Sequence, residues 1–579
     1  MRERGGAASS GAMAAEAMTP ETRVGERRLK RWFGQPARWL SFLAGGVPGI
    51  LVFPAVDLSY VAWFALVPAM VLFGRSRSLR EAVARGWWFG AGMIIAMLWW
   101  MTPEIGPGLP LLGAVAGGLY APFAMSVYTL LRPAVLRARG AWWRAAAALI
   151  VVPSCWLLPE WARSYQGLGG PWDLYGASQW QHPAVLALAA VGGVWLISVA
   201  LLMANVALYL VLITAIGVGR RRLHPAAACP GVWLGVAGLA MFAVVAGSGP
   251  LAFALASRAP AVHSVSVALV QPGLLKSSSA QGDASQALTA KDSSGGAFSG
   301  TDVDLIVWGE SSIDEDLTQP SSSALLHQIE ALAGKDGAEI LVNQDAIVPG
   351  KGHEKWGVLV GRTGIKGIYA KTRLVPFGEY IPFRQQLGWL SSVSKAAGSN
   401  MVPGDGAHLL HAADRSGKPL PIGVLTCFES AFPDMSRVDA DLGAQLIVYQ
   451  SSTSTFQGTW APDQQASLAP IRAAETGRPV VQTALTGDSV AFDAQGRQLA
   501  WLGQSVHGAV TARLGLPSAS ARTFYDEHGD YVMWAGVMIA GLAALLMIAS
   551  RRGFLRRPAG GAGDHEAQYE PGTGQPVAP

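Results

Sequence analysis

The chain divides by the rhythm of its apolar residues. Long unbroken apolar runs occur at approximately 38–56, 58–74, 86–102, 109–131, 144–159, 184–214 and 231–256, and one more follows at 531–550. A helix needs about 20 mostly apolar residues to cross a bilayer, so the pattern predicts eight membrane spans. The first two runs are short and broken by Gly and Pro, which makes a re-entrant pair the alternative there. The sixth exceeds what a span requires and must tilt or project from the membrane. Between 257 and 528 the rhythm shortens. Apolar stretches at Val265–Val270, Leu305–Trp308, Ile340–Val342, Gly357–Gly361, Ile365–Ala370, Ile422–Thr426, Leu446–Tyr449, Val480–Thr483 and Ser489–Phe492 predict strands. Helical spacing predicts helices at Ser323–Gly334, Ala431–Gly443 and Pro462–Thr476. Strands alternating with helices over about 270 residues, enough for a full core, argue for a layered α/β domain.

Three segments break these patterns. Residues 276–301 are rich in Ser, Gly and Ala and read as a mobile surface loop with a weak helix at Ala284–Ala290. Residues 384–404 form a long connection carrying Leu387, Trp389, Leu390 and Met401. Such a loop is either packed core or a lid that meets lipid. Residues 558–579 are Gly/Pro-rich without periodicity and read as disordered.

Composition agrees with the membrane reading. The chain is 51% hydrophobic and 14% charged, against roughly 25% charge in soluble proteins. Its arginines set an orientation. They crowd the N-terminal tail (Arg2, Arg4, Arg23, Arg27, Arg28, Arg31), the loops after spans two (Arg75, Arg77, Arg80, Arg85), four (Arg132, Arg137, Arg139, Arg144) and six (Arg220, Arg221, Arg222), and the tail after span eight (Arg551, Arg552, Arg556, Arg557). The alternate loops are nearly free of positive charge, Arg163 excepted. Both termini are therefore expected in the cytoplasm and residues 257–528 outside the cell membrane. The formal charge of +5 is explained by these topology signals beside anionic lipid, without nucleic acid. The first 36 residues are too long and polar for an ordinary cleaved signal peptide, so span one reads as a retained anchor. The resulting plan is a basic cytoplasmic tail at 1–36, a seven-span domain at 37–256, an external domain at 257–528, an eighth helix at 529–551 and a disordered tail at 552–579.

Within the external domain one cysteine stands alone. Cys427 ends an apolar strand in Pro421-Ile-Gly-Val-Leu-Thr-Cys-Phe-Glu-Ser430. A thiol on the oxidising side of a membrane normally pairs, and one without a partner in its own domain is a candidate nucleophile. The competing reading is an inert buried thiol. Glu310 closes another apolar strand in Asp304-Leu-Ile-Val-Trp-Gly-Glu310, where an open α/β sheet places active-site groups. Lys371 follows a third strand and leads into Leu374-Val-Pro-Phe-Gly-Glu-Tyr380, which brings in a further carboxylate, Glu379. Taken singly, Glu310 and Lys371 read as solvated surface charges. Taken together with the cysteine they fit one chemistry. A deprotonated thiol is a strong nucleophile, a carboxylate in an apolar pocket can take its proton, and a lysine ammonium can stabilise the oxyanion of a tetrahedral intermediate. Glu379 could hold the lysine or the base, and Glu429 lies two residues from the sulfur. His353, His408 and His411 sit in no catalytic setting. There is no Gly-x-Ser-x-Gly elbow, metal-ligand cluster or P-loop.

Glu310, Lys371 and Cys427, in this order, resemble the Glu–Lys–Cys triad of the nitrilase superfamily. Combined with eight spans, they resemble the apolipoprotein N-acyltransferase family over most of the chain, most closely at Lys371–Pro382 and at Thr426-Cys-Phe-Glu429. Glu160-Trp161-x-Arg163, Gly170-Pro171-Trp172 with Ser178-Gln179, and Arg472-Ala-Ala-Glu475-x-x-Arg478-Pro479 are further points of likeness. The resemblance implies a polytopic bundle of eight helices carrying an external nitrilase-like αββα sandwich. It implies Glu310 as general base, Lys371 as oxyanion stabiliser, Cys427 as nucleophile, and Glu379 and Glu429 as supporting acids, with no cofactor or metal. Several positions depart from the family pattern and bear on substrate positioning. Trp308-Gly309-Glu310 replaces Trp-Pro-Glu, Cys427-Phe428 replaces Cys-Tyr, Gln450-Ser451-Ser452-Thr453 replaces a Ser-Asn-Asp type of sequence, and Ser277 stands where a tryptophan is usual.

The implied reaction is a two-step acyl transfer. A membrane phospholipid gives its acyl chain to Cys427 as a thioester, and the N-terminal amine of a diacylglyceryl-cysteine apolipoprotein takes it. Membrane-anchored substrates require a nucleophile near the bilayer surface, and spans seven and eight directly flank the external domain. Two other readings compete. One is a membrane-tethered nitrilase-type amidase acting on small soluble amides. The other is a non-catalytic membrane scaffold docking a partner glycosyltransferase.

Overall fold

The computed structural model describes residues 36–138, 140–223, 231–256, 259–273, 282–287, 302–388 and 400–554. The basic tail before residue 36, Ser277, Trp389, Leu390 and the tail from 555 lie outside the described residues. Most of the Ser/Gly-rich loop does too, although 282–287 is a helix that covers the front of the one expected there.

Two six-stranded sheets form the α/β domain. The first contains β1 (His263–Gln271), β2 (Leu305–Trp308), β3 (Glu339–Val348), β4 (Gly352–Gly361) and β5 (Gly364–Ala370). The second contains β6 (Leu409–Ala413), β7 (Pro419–Thr426), β8 (Leu446–Ser451), β9 (Val480–Ala484), β10 (Ser489–Phe492) and β11 (Gln498–Leu502). The last strand, β12 (Gly508–Leu516), returns to the first sheet and pairs antiparallel with β1. The orders are β12-β1-β2-β3-β4-β5 and β11-β10-β9-β8-β7-β6. Each sheet has a parallel centre, β1-β2-β3 in one and β7-β8-β9 in the other. Parallel centres need both faces covered, and the side-chain period of two divides each strand accordingly. Val267, Leu269, Leu305, Val307 and Leu341 enter a core shared with Ile422, Val424 and Val448 of the opposite sheet. Their neighbours Ala268, Val270, Ile306, Trp308 and Ile340 pack instead with Ile329 and Ala333 of helix Ser323–Asp336. Burying each Val or Leu contributes about 1.5–3 kcal/mol, so a one-residue slip of β2 would forfeit both faces. Helices Pro433–Leu442, Ala461–Ala466 and Ala469–Thr476 belong to the second sheet's half. The layers run helix, sheet, sheet, helix.

The expected helix at Pro462–Thr476 is two helices. Ser467 and Leu468 separate them, and Pro470, which has no N–H to donate, lies in the first turn of the second.

Elsewhere the chain is helical. Among the described residues five helices are long and apolar enough to cross a membrane, at Gly108–Leu136, Ala141–Arg163, Ala189–Leu223, Val232–Leu255 and Tyr531–Ser550, and a sixth arises if Leu79–Met97 and Trp99–Ile105, bent by 63°, count as one. The first two expected runs form helix Pro36–Leu51 and the shorter apolar helix Ser59–Gly74. Val232–Leu255 and Tyr531–Ser550 are only 17% buried over their most apolar windows, against 67% for Ala189–Leu223. Leu239, Val244, Leu545 and Leu546 accordingly face outward, the mark of helices whose solvent is lipid. The long helix is interrupted at Gly192 and Gly193, where φ and ψ leave the helical region, and it runs on to Leu223 beyond the break.

Candidate active site

Glu310, Lys371 and Cys427 follow the ends of β2, β5 and β7. After Trp308 the chain must turn tightly against the other sheet. A Cβ on Gly309 would lie 2.8 Å from the Ser451 carbonyl oxygen and 2.7 Å from the Leu485 amide nitrogen, so only glycine fits there as the backbone stands. The Glu310 amide donates to that same Ser451 carbonyl at 2.9 Å. Asn343 accepts from the Ser311 amide at 2.9 Å, and Gln450 donates to the Trp308 carbonyl at 2.9 Å. The strand end carrying Glu310 is thus pinned on three sides.

Lys371 is fully buried. Its Nζ donates to Glu379 Oε1 at 2.6 Å and reaches Glu310 Oε1 at 3.4 Å. Burial alone would discharge the ammonium, but Glu379 and then Glu310 outweigh it and hold the group well above the ordinary lysine value. The second Glu379 oxygen accepts from the Val375 amide at 2.9 Å, closing the turn of Leu374–Tyr380 onto the lysine. A buried cation paired with two carboxylates is strongly held, because removing one partner leaves an uncompensated charge.

Cys427 opens a short 3-10 helix, Cys427–Ala431, with φ +51°. A non-glycine residue in the left-handed region is unfavourable and persists only where its surroundings fix it. Glu429 supplies the fixing. Its fully buried carboxylate accepts from the Thr426 amide at 2.7 Å, the Thr372 amide at 2.8 Å, the Arg373 amide at 2.9 Å and the Tyr369 hydroxyl at 3.0 Å. It ties the Cys427 turn to the Lys371 turn. Burial pushes the Glu429 pKa up, and these donors work against that. Glu429 therefore holds the two turns together and its hydrogen bonds go to them, not to the sulfur. The Cys427 thiol is pushed up to about 12, first by burial and then by the negative charge of Glu310, with Lys371 and a hydrogen bond from Gln465 pulling the other way. Gln465 Nε2 lies 3.6 Å from Sγ. The three groups therefore share one electrostatic environment. His408 is engaged with the Ile368 and Gly406 carbonyls, while His353 and His411 lie on β4 and β6.

The helical part of the chain closes one side of this site. A Cβ on Gly170 would lie 2.6 Å from Phe428 and 3.0 Å from Phe432, so the 169–170 turn lies directly on the residue after Cys427. Trp172 Nε1 donates to Gln464 Oε1 at 2.9 Å, and Gln464 donates onward to the Pro54 carbonyl at 3.0 Å. Gln166 donates to the Leu374 carbonyl at 2.7 Å. Glu160, fully buried, accepts from Trp156 and the Tyr175 amide, and Arg163 donates to the Trp172 carbonyl. Gln179 joins the Trp63 ring N–H to the Ser59 carbonyl. The Glu160–Gln179 motif residues are the frame that presents this loop to the site. The Arg472–Arg478 motif plays the matching part from the other side. Arg472 pairs with Glu475 at 2.6 Å, and Glu475 accepts from the Val194 amide at 2.8 Å, at the break in helix Ala189–Leu223. Arg478 caps the Ala444 and Ala521 carbonyls.

Two family models match the chain, Apolipoprotein N-acyltransferase N-terminal domain over residues 45–207 and Carbon-nitrogen hydrolase over residues 266–522. An apolipoprotein N-acyltransferase of Pseudomonas putida is 30% identical over 489 residues, covering 81% of this chain and 89% of the relative. The chain belongs to the apolipoprotein N-acyltransferase family. A relative of the same name from Chlorobaculum tepidum is 26% identical over 560 residues, covering 90% of this chain and 98% of its own. Among solved structures, a carbon-nitrogen hydrolase from Helicobacter pylori is 15% identical, covers 51% of this chain and 99% of its own, and has a TM-score of 0.33.

For an apolipoprotein N-acyltransferase family member, two of the departures noted in the sequence, at Gly309 and Ser451, meet in the structure. The backbone of Ser451 approaches Gly309 across the two sheets, and that approach calls for a residue without a side chain after Trp308. Thr453 and Thr486 stitch the following turn to the Gly487 and Ser452 carbonyls. Tyr369 and Gln465 are site residues that the sequence reading missed, while Ser451 was noted there as a position bearing on substrate positioning. Tyr369 was visible only as the apolar end of a strand, and Gln465 as one polar residue of an amphipathic helix.

Proposed function

We propose that this chain transfers an acyl chain from a membrane phospholipid, through a thioester on Cys427, to the N-terminal amine of a diacylglyceryl-cysteine apolipoprotein. What supports the residue roles is the meeting of two buried groups, Lys371 and Glu310, with the partly buried Glu379 and Cys427 where β2, β5 and β7 end, beside a loop of the helical domain. In the first step the Cys427 sulfur attacks the ester carbonyl. Glu310 takes the thiol proton, and Lys371 faces the oxyanion. The ester C–O bond breaks, the lysophospholipid oxygen takes the proton from Glu310, and the thioester remains. In the second step the acceptor amine attacks the thioester, Glu310 takes its proton, the C–S bond breaks and the thiol is restored. The thiol's raised pKa fits a proton removed during attack rather than a standing thiolate.

The same reading places eight spans in the bilayer, counting Pro36–Leu51 and Ser59–Gly74 as the first two, with both termini cytoplasmic and residues 257–528 outside. The arginine-bearing loops support this orientation. So does the exposed apolar surface of the helices flanking the external domain. The tail, seven-span, catalytic, eighth-helix and C-terminal divisions at 1–36, 37–256, 257–528, 529–551 and 552–579 follow from it. The small-amide hydrolase and the scaffold are not favoured by the full-length family match, and nothing speaks for a glycosyltransferase partner.

The test is N-acylation of a diacylglyceryl lipopeptide in vesicles. Wild-type protein is expected to convert it and Cys427→Ala to leave it unmodified. Conversion by Cys427→Ala, or ammonia release from soluble amides without lipid, would sink the proposal.

A further inference from the structure

The site holds a donor to the sulfur that the Glu–Lys–Cys scheme does not use. Gln465 stands on helix Ala461–Ala466 and is 2% exposed. Ser451 Oγ donates to its Oε1 at 2.7 Å, and its Nε2 donates to Cys427 Sγ at 3.6 Å. The two ends of one amide are thereby committed, the oxygen to Ser451 and the nitrogen to the nucleophile. Ser451 does more than orient this side chain. Its carbonyl oxygen accepts from the Glu310 amide at 2.9 Å and from the Leu485 amide at 3.1 Å. One residue at the end of β8 therefore fixes the backbone of the base and, through Gln465, the donor at the thiol. The close approach of Gly309 to the Ser451 carbonyl is what permits this.

We infer that Gln465 is a catalytic residue of this site, stabilising negative charge on Cys427 sulfur as the proton leaves, and that Ser451 is the positioning residue that aims it. The inference rests on the acyl-transfer reading only for the name of the reaction. The sulfur must carry negative charge in any nucleophilic use, and at a partly buried sulfur a fixed amide N–H compensates the charge that solvent reaches only in part. Gln465 gives up no proton in this role. The thiol hydrogen still goes to Glu310, and the amide donor acts on the thiolate side of that exchange and again when the thioester C–S bond breaks. Lys371 cannot do the whole task, since its ammonium is already shared between Glu379 and Glu310.

The test is alkylation of Cys427 by iodoacetamide in the full-length protein in detergent micelles, followed by mass across a range of pH. Below the thiol pKa the rate tracks the thiolate fraction, one decade per pH unit, and each unit of pKa shift moves it tenfold. Gln465→Ala is expected to lower the rate about tenfold at every pH with the slope unchanged. Gln465→Glu, nearly the same size, is expected to lower it further, because an acceptor then faces the thiolate. Ser451→Ala, a smaller change that keeps Gln465, is expected to lower it about two- to fivefold, and it decides the matter if the Gln465 variants do not fold. Wild-type rates in folded Gln465→Glu, or in Ser451→Ala where neither Gln465 variant folds, would overturn the inference. Phospholipid incubation of the wild type separates it from the reaction assignment. An acyl adduct on Cys427 with unchanged alkylation in the variants sinks only the role of Gln465. Slowed alkylation in the variants with no adduct in the wild type sinks only the acyl-transfer reading.

Discussion

At the residue scale, the site is a small cluster of buried charge with one acid more than a base-and-nucleophile pair needs. Glu379 is closer to Lys371 than Glu310 is, 2.6 Å against 3.4 Å. On the proposed roles, that ordering pairs Glu379 with the lysine and leaves Glu310 for the proton. Glu379→Gln should therefore leave Lys371 underpaired, destabilise the fold by about 3–5 kcal/mol, and slow adduct formation, read as a lower thermal midpoint together with a lower rate. Lys371→Ala should lower the rate of adduct formation by at least about a hundredfold, the usual effect of losing one oxyanion donor. An unchanged rate in either variant contradicts the assignment. Glu310, Lys371 and Cys427 were legible as candidates because each follows an apolar strand. Gln465 was not, because a glutamine on a half-polar helix carries no mark of where it points, and only the approach of helix Ala461–Ala466 to the Cys427 turn gives it a role.

At the element scale, what the sequence made visible tracks burial. Strands β2, β8 and β9 are buried along their whole length and were found nearly to the residue. Strands β6, β11 and β12 were missed. They lie at or near the margins of their sheets, half exposed, with mixed apolar and polar residues that mimic loops. The two-helix break at Ser467 and Leu468 was hidden because apolar spacing continues across it. The Arg472–Glu475 pair shows what such an element does. It is buried, i to i+3, and its acid also holds the Val194 amide at the helix break. Glu475→Leu should strip Arg472 and that amide at once and lower the thermal midpoint in detergent by several degrees. Asp441→Ala, which breaks half-exposed pairs with Arg437 and Arg522, should change stability by no more than about 1 kcal/mol. Equal effects would contradict a docking role for the buried pair.

At the scale of the whole molecule, the helical bundle and the sandwich meet at the nucleophile. The 166–172 loop touches Leu374, Phe428 and Gln464, one contact for each side of the site. A soluble sandwich would leave that face to water, and here the bundle's loop covers it, which is what a thioester awaiting an amine requires. Gly170 is where this contact is tightest. Gly170→Ala should disturb the Cys427–Phe428 turn and slow adduct formation, whereas Gly167→Ala, with nothing within 4 Å of the added carbon, should not. Loss of activity in both, or in neither, would argue that the loop is a passive cover.

In the proposed reaction the sulfur of Cys427 carries the acyl chain. Intact-mass measurement of the full-length protein after incubation with a defined phospholipid tests it most directly. One added acyl mass is expected, located at Cys427, removed by hydroxylamine and absent from Cys427→Ala. An adduct that persists in Cys427→Ala, or an unmodified wild-type protein that nevertheless acylates its acceptor, would contradict it.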